Sequence, residues 1–183
     1  MIKEISIDFD NVLYNLEGVN LAEVKRIYGK EISTEEIEYW DYYYDHYPEV
    51  TKIWKDFKKY SNGNFFEKDK EFIENLKQIG LNIQIVTASA AEIEKEKDQM
   101  IFERYGDIKV IHTKEKHLVT KNSILIDDAP HNILRHIEEN NLPGILVDRG
   151  YGWSKNTKED SLIHRLSNFN DIEKKITEII SSY

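Results

Sequence analysis

The residues with the clearest chemical potential are two aspartates at the end of the first apolar run, EISIDFDNVL at positions 4–13. Asp8 and Asp10 are one residue apart, so their side chains would point the same way if a strand continued through them. Two like charges held that close are costly unless a cation or a shared proton offsets them. The pair therefore indicates a metal site, although a strand followed by an ordinary acidic turn has the same short pattern.

Three further apolar runs, NIQIV, IKVI and SILI, also end in polar residues. The residues at these ends are Thr87, Ala88, Ser89, Lys114, Lys116, Asp127 and Asp128. Three or more carboxylates around one point form a hard, oxygen-only site that suits Mg²⁺. A hydroxyl and an ammonium facing that metal suit a phosphoryl group, whose transfer depends mainly on positioning and charge neutralisation. One carboxylate could attack phosphorus, and a second could protonate the leaving oxygen and then activate water.

Strands that alternate with helices would bring these residues together. Apolar residues recur at helical spacing between the apolar runs, a further strand is predicted at 144–147, and a last helix at 172–180. This alternation predicts an α/β protein with a Rossmann-like, doubly wound parallel sheet covered by helices on both faces. Ligands of such sheets bind outside the carboxyl ends of the strands, where the four polar ends would meet.

The segment after the first strand has a different pattern. Residues 14–64 carry apolar side chains at helical spacing and much of the aromatic content, including the run WDYYYDHY. Ser33 and Glu36 form a predicted capping box, with a helix expected to continue through that aromatic run. We therefore predict that 14–64 form a helical cap on a core made of 1–13 and 65–183.

Composition narrows the class of protein. The 183 residues are 40% hydrophobic and 32% charged, which suits one globular domain with room for an insertion. A net charge of -9 should repel long polyanions, so we expect no extended nucleic-acid partner. The chain has no cysteine, which excludes disulfides and thiolate sites. It shows no signal-peptide pattern and no membrane-spanning apolar run, so we expect a cytoplasmic protein without a membrane partner.

The motifs IDFDNVL, IVTAS, the lysine loop and LIDDAPHN, in that order, resemble the four motifs of the haloacid dehalogenase (HAD) superfamily. The helical insert resembles that superfamily's first type of cap. Within the superfamily, the chain is most similar to the 5'(3')-deoxyribonucleotidase family of type C 5'-nucleotidases, through LIDD-x-P-x-N, the cap exit WKDFKKYSNGNFFE and HRLSNFNDI. The resemblance covers most of the chain. It implies a Mg²⁺-dependent phosphatase that converts (deoxy)ribonucleoside monophosphates to nucleoside and phosphate through an aspartyl-phosphate.

The same resemblance assigns roles to the aspartates. It implies that Asp8 is the nucleophile and a Mg²⁺ ligand. Asp10 would be the general acid/base and would give the metal its backbone carbonyl. Asp128 is the better match for a direct metal ligand, and Asp127 would act through water or as an acceptor behind it.

Phosphate contacts follow from the second and third motifs. The resemblance implies that Thr87 holds the phosphate with help from the backbone of Ala88 or Ser89. Lys116 fits the motif-three lysine better than Lys114, because it precedes an apolar pair that leads to the LIDD strand. The choice between these two lysines stays open at this point.

Further substrate contacts are predicted in the second core helix and in the cap. Lys97 matches an additional phosphate-contacting lysine of the nucleotidases, with a shorter spacer. Tyr39, Trp40 and Trp54 are candidates for stacking on a nucleobase, although such aromatic clusters more often form the core of a cap. The chain departs from the family at Leu16, where an aromatic residue is expected.

Other functions share parts of this pattern. The same chemistry could act on a sugar phosphate or another small phosphomonoester. A phosphoaccepting signalling domain also combines acids, a threonine and a lysine on a parallel sheet, but it lacks a helical insertion after the first strand. A catalytically silent binding module is the third alternative. The presence of all the motif residues, Asp8, Asp10, Thr87 and Asp128, argues against it. The sequence leaves base preference and oligomeric state open, a homodimer included.

Overall fold

A six-stranded parallel sheet forms the centre of the protein, seen in a computed structural model that describes residues 2–182. The strands are β1 (Glu4–Ile7), β2 (Asn82–Thr87), β3 (Lys109–His112), β4 (Ser123–Asp127), β5 (Gly144–Val147) and β6 (Ile163–Leu166). Their spatial order is β3-β2-β1-β4-β5-β6, and every neighbouring pair is parallel. The predicted α/β class with a Rossmann-like, doubly wound sheet is confirmed.

Helices fill the connections between the strands. Within residues 2–182, the α-helices are α1 (Leu16–Tyr28), α2 (Tyr42–His46), α3 (Phe57–Tyr60), α4 (Asp69–Gln78), α5 (Glu94–Tyr105), α6 (Lys116–Val119), α7 (Pro130–Asn140) and α8 (Phe169–Ser182). Short 3₁₀ helices cover Thr34–Glu36, Val50–Lys55 and Trp153–Asn156. Among these described helices, none has the length and apolar character needed to cross a membrane.

The sheet is buried on both faces, which explains why its central strands are apolar without alternation. Ile5, Ile7, Ile124 and Ile126 are fully buried. Ser6 on β1 and Gln84 on β2 are buried polar residues, and the Gln84 amide donates to the Ser6 hydroxyl at 2.9 Å. A buried donor that is paired in this way avoids most of the cost of leaving water.

The segment between β1 and α4 is helical, but its helices are shorter than the sequence predicts. The Ser33–Glu36 capping box forms, yet only a single 3₁₀ turn follows it, and the WDYYYDHY run contributes no more than α2. Residues 50–60, part of the segment with apolar residues at helical spacing, are divided at Asp56 between a 3₁₀ helix and α3. Aromatic residues, aspartate and histidine are weak helix formers, so packing of the rings against neighbouring segments decides the backbone here.

β6 is a strand that the sequence pattern does not predict. This strand reads IHRL and lies at the edge of the sheet, where Ile163 alone among its four residues is buried. An edge strand tolerates polar and charged side chains because one side of it has no neighbouring strand. The apolar signal that identifies the central strands is therefore absent from β6.

Candidate active site

The polar ends of β1, β2 and β4 meet at the carboxyl edge of the sheet. Parallel register places Ile7 beside both Ile85 and Ile126, and the Asp8 amide donates to the Ile126 carbonyl at 2.8 Å. Asp8 therefore lies at the centre of the edge, between the β2 and β4 ends, as expected for a ligand site in such a sheet.

Asp10 does not continue the strand. β1 ends at Ile7, and the chain turns through Asn11, whose φ of 57° lies in the left-handed region that asparagine tolerates. Arg149 fixes this turn from the loop after β5: its Nε donates to the Asn11 carbonyl at 2.8 Å and its Nη2 to the Val12 carbonyl at 2.7 Å. The two aspartates of the first motif therefore face different partners.

Asp8 belongs to a buried cluster of three acids. Carboxylate oxygens of Asp8, Asp127 and Asp128 all lie within 4.8 Å of one another. Lys116 Nζ is 2.9 Å from Asp8 Oδ1 and 2.7 Å from Asp127 Oδ2. Lys114 is exposed, so the structure places Lys116, and not Lys114, in the acidic cluster.

The two aspartates at the end of β4, Asp127 and Asp128, have different environments. Asp127 accepts hydrogen bonds from Lys116, from the Ala129 amide at 2.9 Å and from the Asn132 side chain at 3.1 Å. Asp128 Oδ2 is buried and has no hydrogen-bond partner among the described residues. A buried carboxylate oxygen without a donor is costly unless a cation completes it. This orphaned oxygen, beside two more carboxylates, fits a hard divalent cation.

The charges of the cluster point to the same conclusion. Burial is the largest influence on Asp8 and raises its pKa to about 7; Lys116 opposes this rise, and Asp127 adds to it. Burial and the nearby Asp8 raise the pKa of Asp128 well above its usual value. Three ionised carboxylates and one ammonium would leave two negative charges in the cluster, which a divalent cation would balance.

A second network surrounds Asp10. Lys97, which is fully buried on α5, places its Nζ 2.6 Å from Asp10 Oδ2 and 2.8 Å from Thr87 Oγ1. Tyr60, at the end of α3, donates its hydroxyl to Asp10 Oδ1. Burial, followed by the charge of Asp10, raises the pKa of Tyr60 well above its usual value, so the phenol keeps its proton. The predicted phosphate-contacting residues Thr87 and Lys97 are thereby brought together with Asp10.

The loop after β2 adds unpaired polar groups. The Ser89 hydroxyl oxygen is buried and has no hydrogen-bond partner among residues 2–182, while Ala88 is exposed. The Thr113 amide donates to the Thr87 carbonyl at 2.9 Å and fixes the start of this loop. An unpaired hydroxyl at the same sheet edge as the acidic cluster fits a bound anion such as a phosphoryl group.

The aromatic candidates occupy different places. Trp40 is 47% exposed, and its ring meets His131, the second residue of α7, at a centroid distance of 4.7 Å. Because α7 begins directly after the Asp127–Asp128 loop, Trp40 lies on the rim near the acids. Tyr39 is also exposed, whereas Trp54 donates its indole N–H to Asn20 at 3.0 Å within the helical segment.

Tyr60 and Arg149 are site residues that the sequence analysis missed. The sequence pattern shows Tyr60 only as part of a helical stripe, and no motif singles out Arg149. Both reach the site from segments far along the chain, Tyr60 lying 50 residues from Asp10. A hydrogen bond from Tyr60 to a distant carboxylate, or from Arg149 to distant backbone carbonyls, produces no local pattern in the sequence.

The fold matches that of HAD-superfamily hydrolases. Similar structures include a HAD-superfamily hydrolase from Ehrlichia chaffeensis (TM-score 0.54, 19% identity, 98% of this chain and 99% of that chain). A HAD family hydrolase from Deinococcus radiodurans with bound phosphate and sodium has a TM-score of 0.63, with 13% identity over 97% of this chain and 96% of that chain. The putative HAD-hydrolase YfnB from Bacillus subtilis, bound to magnesium, has a TM-score of 0.58, with 12% identity over 96% of this chain and 98% of that chain. At these identities the likeness shows the fold alone.

The chain belongs to the family described as 5' nucleotidase, deoxy (pyrimidine), cytosolic type C (NT5C), whose family model matches residues 1–179. None of the curated proteins matches the chain by sequence. Membership of this family, together with the HAD fold, makes the protein a phosphoric monoester hydrolase of the nucleotidase type. This membership favours a phosphatase over the signalling-domain and silent-binding alternatives.

Proposed function

We propose that the protein is a Mg²⁺-dependent phosphatase that hydrolyses (deoxy)ribonucleoside monophosphates to nucleoside and phosphate, with Asp8 as nucleophile. The observation that carries the proposal is the placement of Asp8 between two separate groups of residues. On one side it shares Lys116 with Asp127 and lies near Asp128, whose Oδ2 has no hydrogen-bond partner among the described residues. On the other side of the same strand end, Asp10 is available as a second carboxyl for proton transfer.

The cation would be held by the Asp8 and Asp128 carboxylates and the Asp10 carbonyl, with Asp127 behind them. Asp127 is the weaker candidate for direct binding because its oxygens already accept hydrogen bonds from three residues. Mg²⁺, when bound there, would offset the negative charge of the acids and of a substrate phosphoryl group. The magnesium in the B. subtilis relative supports this choice of metal.

The residues of the chain support a two-step displacement. An Asp8 carboxylate oxygen attacks phosphorus while the bond from phosphorus to the nucleoside oxygen breaks, and Asp10 gives that oxygen a proton. In the second step Asp10 takes a proton from water, the water oxygen attacks phosphorus, and the bond to Asp8 breaks to release phosphate. Lys116, bonded to Asp8, would hold the nucleophile in place throughout.

Substrate contacts are proposed both beside Asp10 and at the rim of the site. Thr87, with the backbone of Ala88 or Ser89, would hold the phosphate, and Lys97 would support Thr87. Trp40 is the best-placed base contact, because it is exposed and lies against the first turn of α7. The helical segment 14–64 would act as the cap that selects the substrate.

Location and assembly are separate proposals. The word "cytosolic" in the family description supports a cytoplasmic location for this chain. A homodimer stays a prediction, and light scattering of the purified protein would distinguish it from a monomer.

Phosphate release from a panel of 5'- and 3'-monophosphates tests the proposed function. We expect release from deoxynucleotides such as dUMP or dTMP with Mg²⁺, no release with a chelator, and none from Asp8→Asn. The amide of that variant neither attacks phosphorus nor carries the charge that a cation needs. A preference for sugar phosphates over every nucleotide would overturn the substrate assignment, and full activity of Asp8→Asn would overturn the mechanism.

A further inference from the structure

The carboxylate of Asp10 is held by two donors that come from different parts of the chain. Tyr60 donates to Oδ1 from the end of α3, within the helical insertion, and Lys97 donates to Oδ2 at 2.6 Å from α5 of the core. The Asp10 side chain is 17% exposed, so it still reaches the open side of the site. A carboxylate has about four lone-pair sites, and two donors leave about two of them free for a substrate or water proton.

Tyr60 is itself fixed in place by a stack of aromatic rings. Phe9, between the two aspartates of the first motif, stacks on Tyr14 at a centroid distance of 5.5 Å, and Tyr14 stacks on Tyr60 at 5.3 Å. Phe57 continues the stack beyond Tyr60 at 6.1 Å. The Tyr14 hydroxyl donates to the Tyr60 carbonyl at 2.6 Å, and Tyr60 is 1% exposed. Few side-chain rotamers are open to a ring packed in this way.

We propose that Tyr60 is a positioning residue for the reaction, one that orients the Asp10 carboxyl toward the leaving oxygen and ties that orientation to the end of the helical insertion. The inference rests on the proposed function, in which Asp10 is the general acid and base. Lys97 alone would fix one carboxylate oxygen and leave the group free to rotate about that contact. With Tyr60 on the other oxygen, the plane of the carboxylate is set. General acid catalysis depends on such alignment, because the proton must transfer over hydrogen-bond distance.

The test compares leaving groups in single turnovers with enzyme in excess and Mg²⁺ present. A nucleoside needs a proton to leave, whereas p-nitrophenolate leaves without one. In Tyr60→Phe we expect nucleoside release from dUMP to slow by about tenfold to a hundredfold. Release of p-nitrophenolate from p-nitrophenyl phosphate should stay within about threefold of the wild-type rate.

Tyr105→Phe is the matched control. Tyr105 is also a buried tyrosine that donates to a carboxylate, Asp69 at 2.7 Å, but it lies on the far end of α5 from Lys97. Both Phe variants lose one buried hydrogen bond, so their thermal unfolding should shift alike, while Tyr105→Phe should release both leaving groups at wild-type rates.

Two outcomes would overturn this inference and leave the proposed function unaffected. If Tyr60→Phe releases both leaving groups at wild-type rates, as expected for Tyr105→Phe, then Asp10 does not need the hydrogen bond from Tyr60. If Tyr60→Phe slows the release of both leaving groups equally, Tyr60 has a structural role and does not orient Asp10 for proton transfer. Asp10→Asn is measured in parallel: if it releases nucleoside at the wild-type rate, Asp10 is not the general acid, and that step of the proposed mechanism fails together with the inference.

Discussion

Replacing Lys116 by Met should weaken both the fold and the reaction. Lys116 is 3% exposed, and its ammonium bonds to Asp8 at 2.9 Å and to Asp127 at 2.7 Å. Removing one partner of a buried ion pair leaves uncompensated charge and costs about 3–5 kcal/mol. A folded domain has about 5–15 kcal/mol of total stability, so Lys116→Met should fold but unfold at a lower urea concentration. Because the variant also lacks the Lys116 ammonium beside the nucleophile, its activity should fall by about 10²-fold or more.

Lys114→Met provides the control for this prediction, since Lys114 is an exposed lysine two positions away. Its free energy of unfolding should change by less than about 0.5 kcal/mol, and its activity should be retained. Urea denaturation is followed with and without Mg²⁺, and we expect Mg²⁺ to restore part of the stability of Lys116→Met, because the cation offsets the same carboxylates. If the two Met variants unfold at the same urea concentration and hydrolyse substrate equally well, the assignment of the acidic cluster is wrong.

Three more predictions concern the surroundings of the site. Gly63→Ala would place a Cβ 2.6 Å from the Tyr14 hydroxyl, which is held by Tyr60, and should lower the free energy of unfolding by about 1–3 kcal/mol in urea denaturation. Burial lowers the pKa of His136 to about 4, so the unfolded chain, titrating near 6.5, binds more protons between these values. Stability should therefore fall as the pH drops below 6.5, by about 2 kcal/mol at pH 5, and the difference should vanish in His136→Gln. Trp40→Ala should raise KM for nucleotides by about tenfold, the value of one stacked base, and leave kcat for p-nitrophenyl phosphate unchanged.

The sheet could be predicted because its strands are buried on both faces. Each central strand is a short apolar run. A run such as SILI between helical segments predicts a buried strand. The end of such a run also marks the carboxyl edge of the sheet, so the pattern of the runs alone indicates where Asp8, Thr87 and Asp127 lie. The end of α1 has a sequence signal of a different kind: glycine favours the left-handed conformation that ends many helices, and Gly29, directly after α1, adopts a φ of 66°.

The insertion could not be predicted in the same detail. Its backbone follows contacts between aromatic rings and the core, such as Trp40 on His131, and those contacts join residues far apart in the sequence. The hydrogen bond from Tyr60 to Asp10 has the same origin. Lys116 was distinguishable from Lys114 only by resemblance, because both are lysines in one polar loop, and burial separates them only in the folded chain.

Trapping the phosphorylated enzyme identifies the residue that attacks phosphorus. Wild-type protein is mixed with a deoxynucleoside monophosphate and Mg²⁺, quenched, treated with borohydride and digested for mass spectrometry. An aspartyl-phosphate is reduced to homoserine, so we predict homoserine in place of Asp8 and in no other position. Reduction at a different residue, or wild-type turnover by Asp8→Asn, would contradict the role of Asp8 as the nucleophile.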